Sequence, residues 1–357
     1  MKRMLAVAVM ALLGYLLLWP VPIEPVAWQA PAAPPESAYP YNDTLKGIER
    51  LAEGLGNGPE GVLLASDDRL YAGYVDGRIL QFRHDGSQPR ELANTGGRPL
   101  GLSFGPAGEL IVADAIKGLL RIHDDGRVQV LATEAEGVPF KFVDDADAFP
   151  GEPYIYFSDA STRFGVHEVM EDALEHGDTG RILRYDMNTG ETRVLMRGLH
   201  FANGVAVGPN ADYLVVTETA EYRVWRHWLK GEKAGTSEVL IENLPGFPDN
   251  VSFNGRDRLW VAIYSPRVPD LDRMAPYPWV RKIVQRLPEA LRPAPKMHAW
   301  VLGLDLDGKL VANLQYRGDG TTPPFAPITS AEEQGEYLYF GSLSDTAIGR
   351  IKLSALQ

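Results

Sequence analysis

The chain has 357 residues, 45% of them hydrophobic, and its 35 basic and 47 acidic residues give a formal net charge of −12. It contains no cysteine, which excludes thiol catalysis, disulfides and thiolate metal sites. No cluster of lysine or arginine follows the first few residues. Because nucleic-acid affinity comes mainly from neutralising phosphates, nucleic acid is not an expected partner.

The first 23 residues have the pattern of a membrane anchor. Lys2 and Arg3 precede an uncharged, mostly apolar run from Met4 to Ile23. Prolines directly follow its apolar core, where a small-residue cleavage site would be needed. The pattern predicts an uncleaved signal anchor or transmembrane helix over 1–23, with the rest of the chain on the periplasmic or extracytoplasmic side. The alternative is a buried N-terminal helix of a soluble protein.

Residues 24–42 are rich in proline and alanine. Such a composition buries little surface, and it predicts an extended tether between the anchor and the folded body. The body is expected to occupy 43–357. Its first segment, 43–54, is expected to supply a strand that closes the body against its last repeat, which would remove a free sheet edge.

Six variants of one unit recur through the body. Each has a small apolar strand, a turn containing Gly, Pro, Asn or Asp, and a second strand rich in β-branched or aromatic residues, such as Leu110–Ala113 and Leu259–Ile263. Spacing is about 40 to 60 residues, except for a longer gap before the last unit, and this period is typical of a β-propeller. We predict an all-β fold, a six-bladed β-propeller. A β-sandwich or two small β domains are the alternative.

Two insertions interrupt the repeats, at 163–180 and 266–296. The first has a helical pattern of apolar residues, and the second has a helical middle over Trp279–Leu287. Long loops in compact domains are often lids or binding loops. We expect Met274, Tyr277, Trp279 and Val280 to form a hydrophobic roof over a substrate pocket or to contact a membrane, with ordinary packing as the alternative.

The innermost strands of a propeller line its central channel, so equivalent positions of the repeats converge. These positions hold Glu60, Leu100, Asp144, Asn203, Asp249 and Thr329. Taken singly, the polar ones are ordinary turn residues. Taken together, Glu60, Asp144, Asn203 and Asp249 offer only oxygen ligands, which suit Ca²⁺ better than zinc or copper. We predict a calcium site formed by these four residues.

His200 lies just before Asn203 and is a candidate catalytic base beside such a metal, with a packed core histidine as the alternative. Glu218 and Glu221 are expected to face solvent. The sequence has no G-x-S-x-G elbow, H-E-x-x-H helix or phosphate-binding glycine loop.

Four segments carry a family resemblance over roughly 57–353: GPEGV at Gly58–Val62, GRPLGL at Gly97–Leu102, FANGVAV at Phe201–Val207 and ENLPGFPDNVS at Glu242–Ser252. In these the chain resembles the strictosidine synthase-like proteins, within the wider gluconolactonase, regucalcin and paraoxonase superfamily. The N-terminal anchor matches that of animal members.

The resemblance implies a six-bladed propeller with a central Ca²⁺ and hydrolysis of small lactones or esters, of the lactonase or arylesterase type. Glu60, Asn203 and Asp249 fall on metal-binding positions of the lactonase branch, whereas Asp144 stands where an Asn is usual. In such hydrolases the cation polarises the carbonyl. Asp249 is then the candidate catalytic base or positioning group.

Two departures limit what the resemblance implies. Thr329 stands where strictosidine synthase has its catalytic Glu, and Leu100 stands where paraoxonases have a histidine. Pictet-Spengler condensation and a paraoxonase-type histidine dyad are therefore not expected. The alternatives to a hydrolase are a non-catalytic, calcium-stabilised propeller that binds a protein or lipid partner, and a condensing enzyme of secondary metabolism.

Overall fold

The computed structural model describes residues 1–356. Within them, six four-stranded antiparallel sheets are arranged so that each innermost strand contacts those of the two neighbouring sheets. The predicted six-bladed β-propeller is confirmed. We number the blades 1 to 6 along the chain and call the strand beside the channel the inner strand of its blade.

The strand bounds are given from the inner to the outer strand. Blades 1 and 2 comprise Val62–Leu64, Arg69–Gly73, Arg78–Arg83 and Arg90–Asn94, then Pro99–Phe104, Leu110–Asp114, Gly118–Ile122 and Val128–Ala132. Blades 3 and 4 comprise Val143–Ala148, Tyr154–Asp159, Gly180–Asp186 and Thr192–Leu199, then Ala202–Val207, Tyr213–Glu218, Arg223–Trp228 and Ser237–Ile241. Blades 5 and 6 comprise Gly246–Phe253, Arg258–Pro266, Ala299–Asp305 and Leu310–Tyr316, then Ser330–Gln334, Tyr337–Gly341, Ile348–Lys352 and Glu49–Leu51.

Four α-helices lie outside the blades: α1, Lys2–Leu18; α2, Val169–Glu175; α3, Pro269–Met274; and α4, Pro278–Arg286. Short 3-10 turns occupy Glu36–Ala38, Thr44–Gly47, Pro209–Ala211, Thr219–Glu221, Glu289–Leu291 and Leu353–Leu356. A small hairpin pairs Glu134–Ala135 with Val138–Pro139.

The outer strand of each blade has the lowest fraction of buried residues. In blade 4 every residue of Ala202–Val207 and of Tyr213–Glu218 is buried, whereas Ser237–Ile241 has no buried residue. Blades stack face to face, so the first two strands are covered on both sides and need apolar residues at consecutive positions. This explains the continuous apolar runs that the repeats show in the sequence.

The ring of blades is closed by the N-terminal part of the body. Glu49–Leu51 pairs antiparallel with Ile348–Lys352 and becomes the outer strand of blade 6. The expected closing strand within 43–54 is therefore present. It joins the two ends of the propeller by main-chain hydrogen bonds, so that no blade is left to separate alone.

The inner strands approach one another so closely that several positions have no room for a side chain. A Cβ on Gly61, directly before the inner strand of blade 1, would overlap the Leu100 carbonyl oxygen of blade 2. A Cβ on Gly341, at the end of the second strand of blade 6, would overlap the carbonyl oxygen of Glu60. Between blades 5 and 6, the Asn250 amide donates to the Thr329 carbonyl at 3.0 Å. The inner strands therefore form one continuous contact ring around the channel.

Both insertions lie on one face of the propeller. Each joins the second to the third strand of its blade, blade 3 for α2 and blade 5 for α3 and α4. Because strands alternate in direction, this connection emerges at the end of the blade where the inner strand begins. The insertions therefore lie over the ring positions identified in the sequence.

The segment 24–42 crosses both insertions. The Val26 amide donates to the Glu175 carbonyl at 2.9 Å, and the Arg267 guanidinium donates to the Pro31 carbonyl at 2.8 Å. Ile23, just before the segment, is fully buried beside Leu174 and Val284. We call 24–42 the strap, because it ties the two insertions together.

The N-terminal anchor was predicted as a spanning helix, and the structure has helix α1 there, with no buried residue. Among residues 1–356, no helix combines the length and the apolar character that crossing a membrane requires. The prediction of a helix is confirmed and that of a spanning helix is not.

We expect Gly341→Ala to destabilise the propeller by about 3 kcal/mol, because the added methyl group would meet the Glu60 carbonyl, which belongs to the backbone and cannot move aside. Denaturant unfolding would measure this loss. Gly165→Ala is the matched control, since its new Cβ would meet only ordinary contacts at 3.7 Å or more. Equal stability of the two variants would contradict the close approach of blades 6 and 1.

Candidate metal centre and substrate pocket

Four inner strands contain a β-bulge at the same place. In blade 3, Val143 pairs with Asp159 and Ala146 pairs with Phe157. The inner strand therefore advances three residues where its partner strand advances two. The same shift occurs in blades 2, 4 and 5. The bulged residues are Leu100-Gly101, Asp144-Asp145, Asn203-Gly204 and Asp249-Asn250. Bulges re-aim side chains, and here they give the first residue of each pair an equivalent position at the channel.

The four predicted ligands are buried. Glu60, Asp144, Asn203 and Asp249 are each at most 5% exposed. Glu60 Oε2, Asp144 Oδ2 and Asn203 Oδ1 have no hydrogen-bond partner among the described residues, and neither do Asn250 Oδ1 and Thr329 Oγ1. Buried polar atoms are rarely left unpaired, and each exception calls for an explanation such as an ion or water. Five such oxygens lie at the start of the inner strands, and together they indicate a site for a bound ion or water.

Burial and mutual repulsion act on the carboxyl groups. Burial raises the pKa of Glu60 to about 7, against the opposing effects of Arg98 and of the hydrogen bond from Asn250. Burial, followed by the charges of Glu60 and Asp249, raises the pKa of Asp144 well above its usual range. The pKa of Asp249 is raised by burial and then by Glu60. The charge of Glu60 therefore acts on both aspartates, and a cation would relieve that repulsion.

The donor set fits a large, hard cation. Among residues 1–356, the three carboxylates do not form a group whose ligand atoms all lie within 4.8 Å of one another. The structure therefore does not by itself bring the ligand atoms to the distances of a bound ion. Glu60, Asp144, Asn203 and Asp249 offer only oxygen ligands, the type that Ca²⁺ takes and zinc does not favour, and the four-residue site remains a prediction.

His200 lies in a second cluster with His176 and Glu221. His176 Nε2 lies 3.0 Å from Glu221 Oε1, and His200 Nε2 lies 3.9 Å from the same oxygen. The two imidazoles are stacked at 4.3 Å with 13° between their planes, and Trp28 of the strap stacks on the other side of His176 at 3.9 Å.

The ligand atoms of this cluster are close enough for a metal, but its geometry argues against one. A metal ion binds in the plane of an imidazole ring. The two stacked rings lie in separate, nearly parallel planes, so their nitrogen lone pairs do not converge on one point. The cluster is better described as an aromatic stack that seats Trp28. The role of His200 as a base stays a prediction, and its Nδ1 is buried without a partner among the described residues.

The expectation that Glu218 and Glu221 face solvent is wrong. Glu218 is fully buried, accepts hydrogen bonds from Arg223 and Trp225 and caps the His200 amide at 2.8 Å. Glu221 is half-buried against His176. Glu218 ends the second strand of blade 4 and Glu221 lies in the turn that follows it. No sequence signal places His176 of the first insertion against Glu221.

An apolar cavity of about 290 Å³ lies between the insertions and the propeller. Its floor includes Phe201, Phe247 and Tyr264, and its roof is formed by α2, α3 and the prolines at 293 and 295. Burial raises the pKa of Tyr264, and the charge of Asp249 adds to the effect. Phe201 and Phe247 of the lining lie two residues before Asn203 and Asp249 in the chain, so the cavity lies near the start of these two inner strands.

None of the four predicted roof residues lines the cavity. Tyr277 and Trp279 are 53% and 63% exposed, Val280 is half-buried, and Met274 packs against the cluster of Ile23.

Val268 and Leu271 of the same insertion line the cavity instead, together with Val169 and Met170 of α2. The sequence showed which insertion was apolar, but the direction of its helices decides which side chains turn inward.

Arg281 of α4 holds the roof together. Its guanidinium, 2% exposed, donates to the carbonyls of Leu174, Glu175 and Ala275 at 3.0 to 3.3 Å and also to that of Val26. One side chain thus connects both insertions and the strap.

The architecture and the site define a class of proteins: six-bladed propellers with a carboxylate-rich ring at one mouth of the channel. Family models for strictosidine synthase and for the N-terminal part of strictosidine synthase-like proteins match residues 144–232 and 37–82.

The strictosidine synthase-like 4 protein of Arabidopsis thaliana is 37% identical over 87% of this chain and 83% of its own. The adipocyte plasma membrane-associated protein of Rattus norvegicus is 32% identical over 99% of both chains. The chain belongs to the strictosidine synthase-like family.

Solved structures show the same fold. A gluconolactonase from Xanthomonas campestris matches with a TM-score of 0.60 at 14% identity, over 94% of this chain and 99% of its own. A calcium-binding regucalcin from Agrobacterium tumefaciens matches with a TM-score of 0.56 at 13% identity, over 85% and 92%.

We expect Asp172→Asn to stabilise the protein at pH 8 by about 2 to 4 kcal/mol and to change little at pH 4. Burial at the cavity raises the pKa of Asp172 to about 7. Stability is therefore lost as the pH rises from the unfolded pKa, about 3.9, to the folded one. Melting temperatures at both pH values would test this. Asp178→Asn, which changes an exposed carboxyl of the same insertion, should leave both melting temperatures unchanged. If Asp172→Asn stabilised the protein as much at pH 4 as at pH 8, the titration of Asp172 would be excluded as the cause.

Proposed function

We propose that the protein is a calcium-dependent hydrolase of small, largely apolar lactones or esters. The observation that supports this most directly is the set of unpaired, buried oxygens at the ring beside an apolar cavity. The ring is suited to hold a cation, and the cavity is suited to hold the hydrophobic part of a substrate. The fold shared with a gluconolactonase is consistent with this chemistry but does not establish it.

The residues would divide the work as follows. Glu60, Asp144, Asn203 and Asp249 would hold the cation, which would polarise the substrate carbonyl and favour negative charge on its oxygen. Asp249 would accept a proton from the attacking water, because burial and the charge of Glu60 raise its pKa and make it a stronger base than an ordinary carboxylate. Water would add to the carbonyl carbon, the carbon to alkoxide-oxygen bond would break, and an acid and an alcohol would form.

The lining of the cavity limits the class of substrate. Val169, Met170, Phe201, Phe247 and Leu271 present hydrocarbon, and Asp172 is the one acidic residue of the lining within the described chain. A polyhydroxylated sugar lactone would lose hydrogen bonds to water there without replacement. Aryl esters and alkyl-substituted lactones would gain from burying their apolar groups.

The departures at Thr329 and Leu100 bear on the alternatives. Thr329 is fully buried and its hydroxyl has no partner among the described residues, so no carboxylate is available there for condensation. Leu100 is buried against Ala115 and Phe142. A non-catalytic propeller with a structural cation remains the competing hypothesis, and the assay below separates the two.

We predict that chelator abolishes hydrolysis of an aryl-ester and lactone panel by the full-length protein and that Ca²⁺ restores it together with the melting temperature. Asp249→Asn should reduce kcat/KM by at least about a hundredfold, since it removes the base and one of the negative charges that would hold the cation. Asp125→Asn, at an exposed turn of blade 2, should be unaffected. If Ca²⁺ raises only the melting temperature and the wild type turns over nothing, the cation is structural and the hydrolase proposal fails.

We further infer that the protein associates with a membrane surface. Helix α1 is largely apolar and has no buried residue, and its C-terminal end contacts α4, with the Tyr15 hydroxyl donating to the Arg286 carbonyl at 3.0 Å. The exposed Tyr277 and Trp279 lie at the start of α4. Aromatic side chains favour the membrane–water interface, and the name of the rat relative refers to a plasma membrane.

This membrane inference predicts that Tyr277→Ser/Trp279→Ser weakens binding of the full-length protein to phosphatidylcholine vesicles several-fold in flotation assays. Val239→Ser/Val311→Ser, which removes exposed apolar side chains from outer strands, is the control and should bind as the wild type does. Identical flotation of the two double variants would exclude the insertion as a membrane contact.

A further inference from the structure

Glu60 differs from the other three predicted ligands in what positions it. Asp144, Asn203 and Asp249 are each the first residue of a bulged pair on an inner strand. Glu60 lies two residues before the inner strand of blade 1, which begins at Val62 and pairs without a register shift. No bulge re-aims its side chain, so contacts from other blades decide where its carboxylate lies.

The main chain around Glu60 is held by blade 6. The Ser330 hydroxyl donates to the Glu60 carbonyl at 2.6 Å, and the Ser342 amide donates to the Pro59 carbonyl at 2.9 Å. Gly341 packs so closely that a Cβ there would lie 1.7 Å from the Glu60 carbonyl oxygen. Because the main chain is fixed, the freedom that remains to Glu60 is that of its side chain.

The Glu60 side chain is bound by Asn250 of blade 5. Asn250 Nδ2 donates to Glu60 Oε1 at 3.0 Å, and among residues 1–356 Glu60 Oε2 is buried without a partner. Glu60 is 1% exposed and Asn250 is 6% exposed. A hydrogen bond shielded from water in this way is strong, and it occupies one carboxylate oxygen while the other stays free.

Asn250 is itself well fixed. It is the second residue of the bulged pair of blade 5, and its main-chain amide donates to the Thr329 carbonyl of blade 6 at 3.0 Å. Its side-chain NH₂ group is the end that faces Glu60, since the opposite orientation would bring two acceptor oxygens together. In blades 2 and 4 the same bulge position holds glycine, at Gly101 and Gly204. Asn250 can therefore make a contact that those blades cannot.

We propose that Asn250 is a positioning residue of the metal centre: by binding Oε1 of Glu60 it fixes the side chain so that Oε2 is the oxygen offered to the cation. This inference rests on the metal site of the proposed function. Partners that hydrogen-bond to metal ligands orient them, and their loss weakens metal binding about 10- to 100-fold. Asn250 Oδ1 is also unpaired in the described chain, so the experiment separates an effect through Glu60 from direct binding by Asn250.

The first variant is Asn250→Ala in the full-length protein, stripped of metal and titrated with Ca²⁺ by calorimetry. We expect its Ca²⁺ affinity to fall about tenfold or more. Ser252→Ala is the matched control, because the buried Ser252 lies on the same strand and donates to the Ala331 carbonyl of blade 6 at 2.6 Å. It also loses a hydrogen bond between blades, but not one to a predicted ligand. Its Ca²⁺ affinity should stay within about twofold of the wild type.

A double-mutant cycle tests whether Asn250 acts through Glu60. Glu60→Asp keeps the charge and is one methylene shorter, which withdraws the carboxylate from Asn250. In this background Asn250→Ala should change the affinity by less than about twofold. Tb³⁺ luminescence with competition by Ca²⁺ extends the measurement to the weaker variants. An equally large loss in both backgrounds would mean that Asn250 binds the cation directly, and it would overturn the positioning role.

The remaining outcomes are distinct. A wild type that binds neither Ca²⁺ nor Tb³⁺ would overturn the metal site, the proposed function and this inference together. A wild type that binds Ca²⁺ but hydrolyses nothing would overturn the hydrolase alone. If Asn250→Ala bound Ca²⁺ as well as Ser252→Ala does, the role of Asn250 alone would be overturned.

A second substitution guards against a folding defect in Asn250→Ala. Asn250→Ser is shorter than Asn but still polar, and it should weaken Ca²⁺ binding as much as Asn250→Ala does. If neither variant folds, Asn250 serves the stability of the ring and the inference fails. A loss of affinity in both variants that disappears in the Glu60→Asp background would support it.

Discussion

The structure depends on the close contact of the inner strands around the channel. Gly61, Gly101, Gly204 and Gly341 have no room for a Cβ because the next blade's inner strand, or in the case of Gly341 the loop of Glu60, lies directly against them. The same ring is held by hydrogen bonds from the Asn250 amide to Thr329 and from the Ser330 hydroxyl to Glu60. These contacts fix the radius of the channel mouth. The bulged residues of four blades can therefore share one small space, and the site exists because the ring is narrow.

That narrowness has an electrostatic cost. Bringing Glu60, Asp144 and Asp249 together out of water raises the pKa of each, so the folded protein without a cation holds groups that prefer to be protonated. The charge of buried Arg98 opposes the rise in the pKa of Glu60. A bound cation would relieve the remaining repulsion between the carboxylates. The hydrogen bonds that hold the ring together and the charges that repel one another lie on the same or adjacent residues. Binding of a cation at the channel mouth would therefore also stabilise the propeller.

Above the mouth, the two insertions and the strap form a second layer. Arg281 donates to carbonyls of all three segments, and Trp28 of the strap stacks on His176 of the first insertion. The strap therefore contributes to the stability of the roof, although its composition predicted only a tether. Its position also brings α1 and the exposed aromatic side chains of α4 to the same face as the cavity, so that a bound membrane and the cavity would lie on one side of the protein.

The sequence by itself determined the six-bladed propeller, the closing strand and the ring positions, because each repeat carries its own turn residues and apolar strands and the period is visible without any contact. It also located both insertions. Only the tertiary structure decided which residues are covered: Glu218 is buried, Tyr277 and Trp279 face outward, His200 stacks on His176, and Arg98 is buried and donates to the Gly58 carbonyl. The physical reason is that repeat periodicity encodes contacts within and between neighbouring blades, whereas these arrangements join segments from 24 to 281 whose spacing follows no period. For α1, the apolar run predicted a helix, but helix length and apolar character together decide whether a helix can span a membrane.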